Sequence, residues 1–275
     1  MSAMLMEDAA LTAGQVAHFN DHGYLTPLTA VSPAQAREFR ERLEMIEAKL
    51  GREAEGYLKI KAHLASPWMT DLARHPRIVS AVQSVLGPDL LLTGSSFFAK
   101  NARDPRFVSW HQDAAYFGLS ENAQVTAWVA FTPSTVQSGC VRVLPGSHLG
   151  ENMRHEERIS KDNLLARGQT IVDIDESRAV SMELQPGQFS LHHVKTAHCS
   201  HANQSDDRRI GLAFFYMPTR VASIRGRRSA MLVSGVDEYN HWDPDPMPRC
   251  DLDPVCVAEL DRVWGNYTKG AYRLT

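Results

Sequence analysis

The sequence predicts a mainly β fold, a sandwich or double-sheet jelly roll preceded by helices, and two observations predict it. Apolar side chains recur every three or four positions in the first hundred residues, whereas from Leu90 onward the chain breaks into short runs rich in β-forming residues. Sequences rich in Pro, Gly, Asn and Ser separate these runs. Many short strands with turns between them favour two packed antiparallel sheets over a parallel α/β sheet.

Three helices are predicted before the strands, over residues 11–23, 32–51 and 76–86. Thr12 and Ser32 are suitable N-caps, because their hydroxyls can accept a hydrogen bond from the first helical turn. Pro33 suits the first turn of the second helix, where its missing N–H is not needed. Gly51 ends that helix and Gly87 ends the third, since glycine readily breaks the helical conformation.

Six strands are predicted after the helices, over residues 90–99, 125–131, 140–144, 181–184, 189–191 and 210–217. The polar stretch at 152–177 interrupts them, and a loop of that length in a compact domain is often a lid or a substrate loop. We expect a single domain over residues 1–275, with a mainly helical part at 1–89, a jelly-roll core at 90–220 and a C-terminal extension at 221–275.

The charge balance and the cysteines narrow the class of protein. Among 275 residues, 29 Lys and Arg stand against 32 Asp and Glu, so the formal charge is −3 and no global field attracts nucleic acid or an anionic membrane. No segment approaches the roughly 18 apolar residues of a membrane span, and residues 1–8 do not resemble a secretory signal.

The four cysteines share no paired spacing, so we expect reduced thiols in a cytoplasmic protein. A small-molecule substrate is expected, with no nucleic-acid or membrane partner, and a homo-oligomer stays open.

The most informative short motif is the tetrapeptide at 110–113, which contains His111 and Asp113. In an extended strand, side chains two positions apart point to the same face, so these two can offer an imidazole and a carboxylate to one ion. Together with a distant histidine they would form the two-His, one-carboxylate set that suits Fe(II) and leaves coordination positions open. A lone His-x-Asp is common by chance, and its alternative interpretation is a strand end at the surface.

The distant histidine has four candidates, at positions 192, 193, 198 and 201. His198 is favoured because Ser200 follows two positions later and Arg209 opens the next apolar strand after a turn. An arginine there can bind the far carboxylate of a dicarboxylic acid through two hydrogen bonds, and a hydroxyl can share the same oxygens. The other three histidines are interpreted as packing, surface or supporting groups.

The chain resembles the phytanoyl-CoA dioxygenase family of iron and 2-oxoglutarate enzymes, which includes ectoine hydroxylases and carrier-protein-dependent aliphatic halogenases. The resemblance rests on WHQD at 110–113, VTAWVAF at 125–131, GCVRVLPGSH at 139–148, PGQF at 186–189 and the run from His198 to Arg209. The 11-position separation of His198 and Arg209 is that of the family's hydroxylases. The sequence FNDHGY at 19–24 extends the resemblance towards the N-terminus, and it weakens after about Met217.

This resemblance implies a double-stranded β-helix, a cupin-like jelly-roll core with N-terminal helices. It implies iron bound by His111, Asp113 and His198, and 2-oxoglutarate held through its distal carboxylate by Arg209 and Ser200, with Thr126 and Trp128 lining the pocket. A buried core aromatic is the alternative interpretation of Trp128. The related halogenases carry a small residue in place of the carboxylate of Asp113. Its presence therefore implies Fe(II)-, 2-oxoglutarate- and O₂-dependent hydroxylation with release of succinate and CO₂, or else desaturation or ring formation.

Substrate residues are harder to predict. Arg225 and Arg228 belong to a basic cluster that could bind a phosphonate, phosphate or carboxylate, while Lys59 and Lys61 alternate along a possible strand face. Solvated surface positions are the alternative for all four. We expect a small polar metabolite, such as an amino acid or an aminophosphonate, with a carrier-protein- or CoA-tethered substrate as the alternative.

Two alternatives from other classes are a cupin-type metal-binding sensor and a zinc hydrolase. Both can use two histidines and a carboxylate. However, a sensor has no need of Arg209 and Ser200 in register with His198, and no general base for a hydrolase lies beside the set. Binding of 2-oxoglutarate would separate the oxygenase from both.

Overall fold

The computed structural model describes residues 10–165 and 168–268, so the predictions made for residues 1–8 lie outside the described residues. Its helices are α1 (Ala13–His22), α2 (Pro33–Leu50), α3 (Pro67–Ala73), α4 (Pro76–Leu86), α5 (Ala114–Phe117) and α6 (Pro254–Thr268). The three predicted helices correspond to α1, α2 and α4. The Thr12 and Ser32 side chains cap α1 and α2 as predicted, each accepting from the backbone N–H three residues later. Among the described residues, no helix combines the length and the apolarity that crossing a bilayer requires.

The strands form two main sheets and a small hairpin. They are β1 (Tyr24–Thr29), β2 (Leu90–Lys100), β3 (Val108–His111), β4 (Val125–Ala130), β5 (Val141–Val143), β6 (His155–Glu157), β7 (Gln169–Ile171), β8 (Val180–Met182), β9 (Gln188–His193), β10 (His198–Ser200), β11 (Arg209–Pro218), β12 (Ser229–Ser234) and β13 (Asp243–Pro244). The major sheet has the order β1-β9-β4-β11-β2-β12-β13 and the minor sheet the order β3-β10-β5-β8. Pairing is antiparallel except between β12 and β13. The predicted jelly roll with N-terminal helices is confirmed, and each of the six predicted strands overlaps an observed one.

The alternation of side chains along the major sheet separates two apolar layers. On β11, Leu212 and Phe214 pack against the helices, whereas Ala213 and Phe215 belong to the cluster between the sheets. Trp128 on β4 lies in the same inter-sheet cluster. Polar residues that share this inner face are therefore enclosed between the two sheets, and this is where the predicted site residues of β4 and β11 lie.

The excursion at 152–177 and the segment that carries Lys59 and Lys61 are both hydrogen-bonded to strands of the core. Within the predicted excursion at 152–177, β6 and β7 form a hairpin, and the hydroxyl of Ser109 on β3 donates to the carbonyl of Gln169 on β7 at 2.8 Å. The lid or substrate-loop role of this excursion stays a prediction. The segment that carries Lys59 and Lys61 is not a regular strand: it runs between two 3₁₀ turns, with Ser95 of β2 donating its N–H to the carbonyl of Ile60 at 2.9 Å.

Candidate metal and co-substrate site

The three predicted metal ligands meet between the sheets. His111 ends β3 and is the cross-strand partner of His198 on β10, while Asp113 follows at the start of α5. One ligand atom from each lies within 4.8 Å of the others. The Nε2 atoms of His111 and His198 are 3.5 Å and 4.0 Å from Oδ1 of Asp113. All three side chains are buried. This arrangement can offer two nitrogens and one oxygen to a single ion.

Backbone hydrogen bonds orient both imidazoles in the same way. Nδ1 of His111 lies 2.8 Å from the carbonyl oxygen of Ser109, and Nδ1 of His198 lies 2.9 Å from that of Thr196. A carbonyl oxygen only accepts, so Nδ1 is the donor in each ring and Nε2 keeps its lone pair. Burial, followed by repulsion from neighbouring histidines, lowers the pKa of His198 well below its usual range. A neutral imidazole with a free Nε2 is the form in which histidine binds a metal.

Asp113 is held as an ionised carboxylate. Burial alone would raise its pKa, but electrostatic interaction with the surrounding imidazoles, His198 foremost and then His111 and His192, holds that pKa well below its usual range. The hydroxyl of Thr126 donates to Oδ2 at 3.1 Å, which leaves Oδ1 facing the two histidines. Thr126, predicted to line the 2-oxoglutarate pocket, thus also orients the proposed metal ligand.

Arg209 occupies the other end of the same space. Its side chain is 1% exposed, and within the described chain its Nε and Nη2 atoms have no hydrogen-bond partner. Burial lowers its pKa to about 10, so the guanidinium stays charged at neutral pH. The Trp128 ring lies 5.3 Å from the guanidinium carbon, and Gly211 permits this, because a Cβ at that position would overlap the indole. A buried guanidinium with unused donors fits the far carboxylate of a dicarboxylic acid.

One cavity joins these groups. It is lined by all seven residues predicted for the metal and the co-substrate, namely His111, Asp113, Thr126, Trp128, His198, Ser200 and Arg209. Most of its other lining residues are apolar, including Phe98 and Phe215. The polar groups are thus concentrated where a metal and a dicarboxylate would bind, and the rest of the wall can contact hydrocarbon.

The two predicted substrate lysines do not line this cavity. Lys61 is buried, with its ammonium 2.6 Å from Oδ1 of Asp245. Lys59 pairs with Glu55 and lies 4.7 Å from the centre of the Phe98 ring, behind the cavity wall. Both lysines therefore contact other parts of the chain.

The two predicted substrate arginines brace the segment that follows Asp113, outside the cavity lining. Arg225 packs against Gly118, where a Cβ would overlap the guanidine group. Arg228 donates to the carbonyl of Phe117 at 2.8 Å. These contacts hold α5, which begins directly after Asp113.

Sequence reasoning underestimated two residues, His192 and Lys100. His192 lines the cavity with Nε2 3.7 Å from Oδ2 of Asp113, and neither of its ring nitrogens has a hydrogen-bond partner in the described ranges. Lys100 is fully buried opposite Arg209. The side-chain alternation of a strand places Lys100 on the same face as Phe98, two positions earlier. His192 is the cross-strand partner of Thr126, so its side chain lies on the same face as that of Thr126. Neither signal is specific without the register of the sheet.

Known proteins share this architecture. A family model described as phytanoyl-CoA dioxygenase matches residues 19–211. A probable phytanoyl-CoA dioxygenase of Caenorhabditis elegans is 24% identical over 292 residues, covering 94% of this chain and 92% of that protein. A probable alpha-ketoglutarate-dependent hypophosphite dioxygenase of Stutzerimonas stutzeri is 27% identical over 157 residues, covering 56% of this chain and 54% of the relative. The match thus spans about half the length of the second relative.

A solved structure extends the likeness over nearly the whole chain. The apo form of the non-heme monooxygenase ThoJ is 32% identical, with a TM-score of 0.82 over 94% of this chain and 97% of that one. The family model alone covers more than half of the sequence. The predicted family and the predicted enzyme class are confirmed: the chain belongs to the phytanoyl-CoA dioxygenase family.

Proposed function

We propose that this chain is an Fe(II)- and 2-oxoglutarate-dependent hydroxylase of a small molecule, with the metal bound by His111, Asp113 and His198. One observation carries the proposal. The two-His, one-carboxylate set shares a buried cavity with Arg209, whose donors are unused. A zinc hydrolase or a metal-binding sensor has no use for a buried, unpaired guanidinium at that position, whereas a dicarboxylate co-substrate requires one.

The donor set fits the metal, and the opposite end of the cavity fits 2-oxoglutarate. Two neutral imidazoles and one carboxylate suit Fe(II) and leave room on the ion for a co-substrate. Arg209 would donate two hydrogen bonds to the distal carboxylate, and the Ser200 hydroxyl would donate another. When bound, iron and 2-oxoglutarate supply the oxidising chemistry, in which O₂ is consumed and succinate and CO₂ are released. The protein binds and orients the reactants.

Asp113 supports hydroxylation over halogenation. Its carboxylate is ionised, hydrogen-bonded by Thr126 and directed at both histidines, so it would occupy the ligand position that a halogenase leaves to chloride. Desaturation and ring formation use the same ligand set and are outcomes of the substrate assay.

For the substrate, we propose a small polar metabolite such as an amino acid or an aminophosphonate. The cavity must also hold the co-substrate, which limits the part of the substrate that reaches the metal. The relative named as a hypophosphite dioxygenase acts, by that name, on a small phosphorus oxyanion. A substrate tethered to CoA or to a carrier protein would present only its acyl end, and it is the alternative.

The test of the cofactor assignment is the weak visible charge-transfer band of the Fe(II)–2-oxoglutarate chelate, recorded anaerobically. We expect the band in the wild type and its loss in Arg209→Ala and His198→Ala. Arg103→Ala, which removes an exposed arginine, is the matched control and should leave the band unchanged. If Fe(II) binds but no band forms with 2-oxoglutarate, the proposal fails and a zinc enzyme or metal-binding sensor becomes the better account.

The substrate class is tested by succinate release. Free amino acids and aminophosphonates are compared with acyl-CoA thioesters at equal concentration. Stimulation above the substrate-free background by free metabolites supports the proposal, and stimulation by thioesters alone supports the tethered substrate.

A further inference from the structure

Two buried basic side chains lie next to each other, and one of them, Arg209, lines the cavity. Arg209, the first residue of β11, is the cross-strand partner of Lys100, the last residue of β2. Arg209 is 1% exposed and Lys100 is 0% exposed. Burying two neighbouring cations is unfavourable unless an anion or strong hydrogen bonds compensate for it. Burial, followed by the charge of Arg209, accordingly lowers the pKa of Lys100 to about 6.

The contacts of Lys100 all lead to the strand that carries His198. Its ammonium is 2.7 Å from Oγ of Ser200 and 3.3 Å from the carbonyl oxygen of Ser200, and it also contacts the carbonyl oxygen of His201. These acceptors are uncharged. Nζ faces three oxygen acceptors, an arrangement that suits a protonated amine donating to each of them, and a carboxylate bound at Arg209 would favour that charged form. In this form Oγ of Ser200 accepts from Lys100, and the hydroxyl proton of Ser200 must point elsewhere.

The direction left to that proton leads into the cavity. Ser200 lines the cavity together with Arg209, whose Nε and Nη2 lack a partner within the described ranges. A carboxylate bound by Arg209 would be a strong acceptor for the Ser200 hydroxyl. A hydroxyl that already accepts a bond from an ammonium is polarised and donates more strongly to an anion.

We propose that Lys100 is a positioning residue for the distal carboxylate of the co-substrate, acting through the hydroxyl of Ser200. The inference rests on the proposed function, since it requires a dicarboxylate to bind at Arg209. Lys100 does not touch the co-substrate. It orients the Ser200 hydroxyl before the co-substrate binds. The distal carboxylate can then accept a hydrogen bond from this hydroxyl as well as from the Arg209 guanidinium. A purely structural lysine, tethering β10 to β2 through two carbonyls, is the competing account.

The experiment compares two 2-oxo acids that differ only at the far end. Calorimetry in the presence of Fe(II), without O₂, measures the Kd of 2-oxoglutarate and of 2-oxopentanoate, which has the same five carbons but no distal carboxylate. The proteins are the wild type, Lys100→Met, Ser200→Ala and the double variant. We expect Lys100→Met to weaken 2-oxoglutarate binding about tenfold, as for loss of one hydrogen bond to a charged group. The Kd of 2-oxopentanoate should change less than about twofold, because that ligand has no distal carboxylate to accept a hydrogen bond from the Ser200 hydroxyl.

Coupling between the two residues is the second readout. If Lys100 acts through Ser200, the double variant should bind 2-oxoglutarate no more weakly than Ser200→Ala. Lys100→Gln, which keeps a donor without the charge, should restore most of the lost affinity. If Lys100→Met does not fold, Lys100→Leu, which also removes the donor, takes its place.

Three results would overturn the inference: equal weakening of both 2-oxo acids, additive effects of the two substitutions, or unchanged 2-oxoglutarate binding in Lys100→Met. Failure of the proposed function looks different, since the wild type itself would then bind Fe(II) but not 2-oxoglutarate.

Discussion

Two buried polar clusters in this molecule differ in one respect, which is whether their donors and acceptors are used. The anchor cluster consists of Lys61, His63, Ser95 and Asp245. Lys61 Nζ lies 2.6 Å and 2.8 Å from the two carboxylate oxygens of Asp245. His63 joins the same carboxylate at 3.1 Å through Nε2 and Oγ of Ser95 at 2.9 Å through Nδ1. Both of its ionic groups therefore have a partner.

The cavity cluster consists of His111, Asp113, His192, His198 and Arg209, and it is incomplete. Two guanidinium nitrogens of Arg209 and both ring nitrogens of His192 lack partners among the described residues. Buried polar groups in proteins are nearly always hydrogen-bonded, so groups that are not mark a place built for something else. The anchor cluster is therefore suited to stabilising the fold, whereas the cavity cluster has donors left for a ligand.

The anchor cluster also changes the interpretation of Lys61. Asp245 follows β13 and Ser95 lies on β2, while Lys61 directly precedes a 3₁₀ turn that contains His63. The cluster therefore joins the N-terminal part, the sheet and the C-terminal segment. A lysine fully engaged in such a cluster has no donor left for a substrate. We expect it to act on stability.

The largest expected effect is on folding, from Asp245→Asn. Breaking one partner of a buried ion pair leaves an uncompensated charge on Lys61 and should lower the free energy of unfolding by about 3–5 kcal/mol. Urea unfolding followed by circular dichroism measures it, and the Kd of 2-oxoglutarate should stay within about twofold, since the cavity is untouched. A loss below about 1 kcal/mol would contradict the stabilising role of the anchor cluster.

The second effect contrasts two neighbouring arginines. Arg209→Met should weaken 2-oxoglutarate binding on the order of 100-fold, because two charged hydrogen bonds are lost. The unfolding free energy of the ligand-free protein should stay equal or rise, because an unpaired buried cation has been removed.

Arg208→Met is the matched control for this substitution. Arg208 pairs with Glu47 through two bonds of 2.6 Å, so its removal should cost stability and leave co-substrate binding intact. If both variants lose stability and neither loses 2-oxoglutarate, the division into filled and unfilled clusters is wrong.

The third effect is a pH dependence of stability that comes from Asp245. Burial would raise its pKa, but Lys61 and His63 hold it far below the unfolded value of 3.8. The folded pKa is depressed, so this carboxylate contributes full stability above pH 3.8 and loses it as the pH falls towards the folded pKa. The difference in unfolding free energy between wild type and Asp245→Asn should therefore shrink below that pH, by up to about 1.4 kcal/mol per pH unit. Urea titrations at several pH values measure it, and a constant difference would count against the assignment.

The smallest effect is expected for a pair on the surface. Arg103 and Asp206 lie 2.5 Å apart, but their side chains are 61% and 84% exposed. Arg103→Ala should change the free energy of unfolding by less than about 0.5 kcal/mol, because water and salt screen such pairs. A larger loss would show that the distance between the charged atoms, and not their burial, determines how much an ion pair contributes to the free energy of unfolding in this protein.

Much of the site could be predicted because its spacing is local. The two-position separation of His111 and Asp113 and the run from His198 through Ser200 to Arg209 are properties of single strands and of one turn. The helix caps at Thr12 and Ser32 are equally local. Short strands were harder: β3 and β10 have four and three residues, too few for a periodic signal, although they carry both histidines.

The sequence alone was sufficient to predict the fold class, the family and the residues that meet in the candidate site. Which buried polar groups have a hydrogen-bond or ion-pair partner could be learned only from the tertiary structure. Lys61 and Asp245 are 184 positions apart, and Lys100 and Ser200 are 100 apart, so their contacts depend on the register of the sheet and the path of the C-terminal segment. Side-chain period is a property of a few neighbouring residues, whereas satisfaction of a buried charge depends on which distant strand lies beside it.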